Sequence, residues 1–96
     1  GADLSGVSLT FANLSEADLS EADLSEATAV FARLSRADLS GANLTDADLR
    51  SADLSDTNMS DAKLTGADFS YAVLSGADLT GTDLSEATVP ERYLPD

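Results

Sequence analysis

Stepping five residues at a time from Leu4 to Leu94 meets nineteen positions, and all are apolar: leucine at fifteen, with Ala29, Met59, Phe69 and Val89 completing the set. Two residues before each stands alanine in fifteen cases, the exceptions being Val7, Thr57, Thr82 and Arg92. The stretch SEADLSEADLSEA, residues 15–27, shows the period most plainly. At about 100° per residue, five residues carry an α-helix about 140° beyond a full turn, so these leucines would spiral without forming a face. In a continuous strand the odd step would throw successive leucines to opposite faces. The spacing instead predicts a short extended piece in which Ala and Leu point the same way, followed by a bend that resets the alternation.

The residues after each central position suit such a bend: mostly Ser or Thr, then Gly, Asp, Glu or Ser. Five residues then make one side of a coil, and stacked coils pair in parallel about 4.8 Å apart, with right-handed crossovers preferred. This is a β-solenoid, whose repeats bury surface only against their neighbours.

The pattern A(D/N)LSx, as in Ala17-Asp18-Leu19-Ser20 and Ala42-Asn43-Leu44-Thr45, resembles the pentapeptide repeat family over essentially the whole chain. The resemblance implies an all-β fold, a right-handed quadrilateral parallel β-helix with four five-residue sides per coil and the Leu and small residue facing inward. One domain, residues 1–96, is expected, with degenerate repeats at 87–96 and about five coils, a rod about 23 Å tall at the strand spacing. Phe11, Phe31 and Tyr71 independently mark a 20-residue superperiod. Family members abound in cyanobacteria.

Coils of 20 residues would sort outward residues into columns. One reads Phe11, Phe31, Ser51, Tyr71, Glu91; beside it runs Asn13, Arg33, Asp53, Val73, Tyr93, and Val30 adjoins Phe31. Four of the five aromatic residues fall in these two columns, while Phe69 belongs inside. Phe11, Val30, Phe31, Tyr71, Val73 and Tyr93 are therefore the candidate partner-binding residues, because clustered exposed aromatics are unusual on a soluble monomer. Stacking of rings between coils, with no partner, is the competing reading. Opposite charges one coil apart, Glu16 with Arg36 and Asp56 and Arg33 with Asp53, read as surface pairs of small effect. An outward serine such as Ser40 is expected to tolerate alanine.

Charge narrows the function classes. Eighteen acidic residues against five basic ones give −13, which disfavours direct binding of nucleic acid or anionic membrane and fits a basic partner, or none, better. Asp18, Asp38 and Asp78, in one column with Asn58, form a candidate acidic surface. If repulsion dominates there, stability should rise from pH 7 to pH 5; if the carboxylates bind turn amides, stability should fall on acidification. With no Cys and no His, thiolate and imidazole chemistry are absent, and only Lys63 could replace histidine as a common base for a serine nucleophile. A convex rod filled with Leu and Ala offers no pocket, and a flat carboxylate column does not converge like a calcium loop. No enzyme activity, cofactor or metal is expected.

No apolar run reaches the roughly 20 residues that span a bilayer. The chain opens on Gly1 inside the repeat, as a trimmed start would, and Ala2, Leu4 and Leu9 have no polar cap before them. An end-to-end homodimer or a preceding segment is the expected cover, whereas Pro90, Arg92 and Pro95 finish the other end. The resulting picture is a non-enzymatic interaction module of unidentified partner. The alternative is an acidic DNA mimic, because quinolone-resistance members of the family act on DNA gyrase in place of DNA.

Overall fold

The five-residue step is built from one turn used over and over. In the structure, a computed structural model that describes residues 1–93, the N–H three residues past each central apolar residue donates back to that residue's carbonyl. The series runs from Val7 to Leu4 (3.3 Å) through to Ala87 to Leu84 (3.2 Å). The third turn residue stands at positive φ at sixteen positions between Gly6 and Gly81, eleven of them not glycine. That combination is type II turn geometry. Leu94, the last of the apolar series, and Pro95 lie outside the described residues.

Four such turns close a coil. Parallel bridges join residues twenty apart, Asp3 to Asp23, Asp18 to Asp38, Asp38 to Asn58 and onward to Asp68 with Thr88. Pairing takes the form of isolated single-residue bridges, because the extended piece between two bends is short. The fold is a β-helix of stacked coils without continuous strands among the described residues.

The repeat around Leu39 shows how completely the backbone is satisfied. Leu39 N–H donates to Asn58 C=O (2.7 Å) and Gly41 N–H to Ser60 C=O (2.9 Å), both on the next coil. Asn43 N–H donates to Ala22 C=O on the previous coil (2.9 Å), and Ala42 N–H closes the turn on Leu39 (3.0 Å). The remaining donor, Ser40 N–H, is taken by Asp38 Oδ1 (2.9 Å), which also accepts from Ser40 Oγ (2.6 Å). No N–H in this repeat is left without an acceptor, as a tightly stacked backbone requires. Of these two bonds, only the one from Ser40 Oγ belongs to the side chain of the serine expected to tolerate alanine.

Ala and Leu of each side point inward and are buried from Ala22 to Leu74, with Met59 and Phe69 filling the same column. Thr57 replaces the small residue at no polar cost because its Oγ1 donates to Leu34 C=O (2.8 Å). The void left among the leucines is about 10 Å³, too small for a ligand. Leu4, Leu9, Leu14 and Leu19 of the first coil are half-buried. At the other end the pattern breaks: Gly66 N–H donates to Glu86 C=O, one residue beyond the register kept elsewhere, and Glu91–Tyr93 turn into a 3-10 helix. The molecule measures 34 × 21 × 20 Å, longer than the 23 Å expected from strand spacing.

Two substitutions test this construction by chemical denaturation. Leu44→Ala, at a site 1% exposed, is expected to lose about 2 to 5 kcal/mol. Asp38→Ala is expected to lose about 1 kcal/mol by freeing the Ser40 amide and hydroxyl, whereas Asp38→Asn, which keeps the Oδ1 acceptor, should stay within about 0.5 kcal/mol of the parent.

Candidate interaction surface

Positive φ decides where the third turn residue points. Phe11 (φ 63), Phe31 (φ 58) and Tyr71 (φ 62) all occupy that position, a conformation unusual for bulky side chains. It projects them from one corner of the coil. Since the next coil repeats the same backbone, successive side chains on a corner are parallel, and the Phe11 and Phe31 rings stack at 5.4 Å with planes 3° apart. Tyr71 stands two coils beyond Phe31 with Ser51 between them, and it is 84% exposed.

The structure therefore brings together only part of the predicted set. Val30 is half-buried in the turn beside Phe31, and Val73 is exposed beside Tyr71. Tyr93 is also half-buried, held by the 3-10 helix with its hydroxyl 3.4 Å from Ser75 Oγ and the Arg92 guanidinium 5.0 Å from its ring centroid. The Ser75 contact leads the influences that hold the Tyr93 phenol below its ordinary range. Between Tyr71 and this C-terminal segment lies an open depression of about 410 Å³, lined by Ser70, Thr88, Val89, Pro90, Glu91 and Arg92 as well.

One pairing at this corner was not anticipated. Arg50 pairs with Asp48 through both guanidinium and carboxylate (Nε to Oδ1 and Nη2 to Oδ2, each 2.8 Å). Its neighbour Ser51 is the one rung between Phe11 and Tyr71 without a ring. A signal existed. The second turn position is Ser or Thr throughout residues 1–93 except at Val30, Arg50 and Pro90, and all three fall in one column on this corner. Of the five basic residues, Arg33, Arg50 and Arg92 lie along it, so the exposed apolar side chains Phe11, Phe31, Tyr71 and Val73 occupy the least acidic strip of an acidic rod. The expected Arg36 to Glu16 pair forms at 3.6 Å with both side chains exposed, a contact of little energetic weight.

The acidic column takes a different role from a repulsive surface. Asp18 Oδ1 accepts from Ser20 N–H (3.1 Å) and Oγ (2.6 Å), and Asp78 Oδ1 accepts from Thr80 N–H (3.0 Å). Asp38 and Asn58 do the same for their own turns. Side-chain bonds from Ser20 and Thr80, followed by their backbone amides, hold the Asp18 and Asp78 carboxyls below the usual range. Asp3, Asp53 and Asp83 are lowered by the equivalent serines, and Asp48 chiefly by Arg50. Elsewhere, acidic side chains at the third turn position lean over glycine one coil on: a Cβ on Gly41 would lie 2.6 Å from Glu21 Oε1, and Gly66 makes room for Asp46 in the same way. Among the described residues no three carboxylates converge as metal ligands would.

Pentapeptide repeats match this chain in eight copies, over residues 2–41, 32–70, 42–81 and 57–89. HetL of Nostoc sp. strain PCC 7120, a pentapeptide repeat protein involved in heterocyst differentiation regulation, is 40% identical over 83% of this chain, with a TM-score of 0.58; the chain spans 39% of HetL. The pentapeptide repeat protein alr5209 of the same organism is 36% identical over 93% of this chain and 77% of its own length, with a TM-score of 0.70. QnrB1, a plasmid-mediated fluoroquinolone resistance protein, is 28% identical over 93% of this chain and 53% of its own, with a TM-score of 0.54. No curated protein matches the chain.

The lowered carboxyls set the sign of the pH dependence. A folded pKa below the unfolded one contributes stability that is present above the unfolded value, about 3.9, and is lost as pH falls through the folded value. Thermal midpoints are expected to be level between pH 7 and pH 5 and to fall below about pH 4. A midpoint that climbs from pH 7 to pH 5 would restore repulsion between the columns as the dominant effect.

Proposed function

The chain belongs to the pentapeptide repeat family, and from that premise we propose that it is a non-enzymatic protein-interaction module, a right-handed four-sided rod that meets its partner along the aromatic corner. The observation that carries this reading is the segregation of its surface. The exposed apolar residues Phe11, Phe31, Tyr71 and Val73 share one strip with three of the five cations, while the remaining corners hold acidic side chains. Exposed aromatic anchors with arginine close by are the composition of protein-binding cores. A filled interior and a rod without His or Cys leave the columns as the place where specificity resides.

Mimicry of DNA is the second reading, and the likeness to QnrB1 speaks for it. Its electrostatic support is thin beside the duplex it would imitate. The described residues carry −12, the chain's −13 less Asp96, along a 34 Å axis, or one charge per about 2.8 Å. Duplex DNA carries one per about 1.7 Å.

Replacement of Phe11, Phe31 and Tyr71 together by Asn, a residue that accepts positive φ, separates the readings. In affinity capture from a bacterial proteome, proteins retained by the parent are expected to be lost from this variant while its melting midpoint stays above room temperature. Retention of the same proteins by both would discard the corner. Inhibition of gyrase supercoiling by both, exceeding that of a charge-matched acidic control, would establish mimicry in its place.

A further inference from the structure

We propose that Ser51 is a seat for one aromatic side chain of the partner, inserted between Phe31 and Tyr71 so that the ring completes the column. This deepens the corner reading and rests on it. Ser51 has the same left-handed backbone (φ 60) as Phe11, Phe31 and Tyr71, so a ring at this rung would sit in the orientation that the corner already imposes on its neighbours. Coils about 4.8 Å apart put a guest ring about that far from Phe31 on one side and Tyr71 on the other, within the range at which aromatic rings attract. The Phe11 and Phe31 pair, at 5.4 Å and nearly parallel, displays the same arrangement between native residues.

Two neighbours leave the seat open. Arg50, the adjacent turn residue, has its guanidinium tied by two bonds to Asp48. Tyr71, with no ring above it in the column, exposes 84% of its surface.

Charge commits the occupant further. Asp48 is tied to Arg50 and Asp53 to Ser55, but the exposed Asp46 and Asp56 on the two neighbouring corners of this coil form an outer rim of negative charge, so the matching segment is an aromatic residue flanked by lysine or arginine. The rings supply the specific contact and the rim draws in the flanking cations.

The chain contains no Trp, so the fluorescence of a Lys-Lys-Trp-Lys-Lys peptide reports its own environment. Titration with the protein is expected to give a saturable blue shift, with Lys-Lys-Ala-Lys-Lys competing at least about tenfold less well. Ser51→Phe, which fills the rung with a residue tolerated at the same φ, should weaken binding about tenfold, and Ser51→Gly, which keeps the rung open, should preserve it. Melting curves of both variants establish that they fold. If Tyr71→Asn weakens the peptide and Ser51→Phe does not, the ring docks elsewhere on the corner and the seat is wrong although the corner stands. If neither weakens it, both are wrong. A peptide whose emission never shifts, or whose alanine form competes equally, also overturns the seat.

Discussion

Everything in this rod depends on a backbone held at φ near +60° once every five residues. Glycine takes that conformation freely, but eleven of the sixteen positions carry other residues, among them Phe, Tyr, Arg, Glu and Asp. For an L-residue it is disfavoured by roughly 1 to 2 kcal/mol. What sustains it is that the left-handed residue also donates to the next coil, as Phe31 N–H does to Arg50 C=O (3.1 Å) and Glu26 N–H to Thr45 C=O (2.9 Å). Turn and stacking share a residue, so neither persists alone. A single repeat has no reason to adopt this shape, and the fold is cooperative between coils in the manner of other solenoids.

The motif's polar residues follow from the same constraint. Once Leu, Ala and the left-handed residue have committed their amides to the turn and to neighbouring coils, the amide after the leucine is left over, and the Asp or Asn before the leucine accepts it. Asp18 and Asp78 are thereby consumed as turn ligands, with carboxyls shifted to lower pKa. Much of the chain's acidity serves its architecture. A high negative charge is for this reason a weak guide to partners, whereas the column where Val30, Arg50 and Pro90 interrupt the motif reports a surface with other demands on it.

The superperiod in Phe11, Phe31 and Tyr71 was enough to place them in one column, because a 20-residue offset is arithmetic. Whether the rings would touch was not, since contact depends on the sign of φ and on the parallel repetition of the turn. The two phenylalanines stack, Tyr71 stands apart, and in the neighbouring column Tyr93 makes no bridge to Val73 because the chain turns into a 3-10 helix at Glu91–Tyr93.

The sequence by itself determined the period, the inward Leu and Ala, the exclusion of helix and long strand, and membership in a family of stacked coils, because all of these are properties of spacing along one chain. Tertiary structure alone decided how the outward side chains meet: that Asp38 bends onto Ser40, that Arg50 reaches Asp48, that Arg36 reaches Glu16 and not Asp56, and that the Phe11 and Phe31 rings lie parallel. Spacing says which residues are neighbours on successive coils. Only the torsion of the turn and the hydrogen bonds between coils say which way those neighbours face.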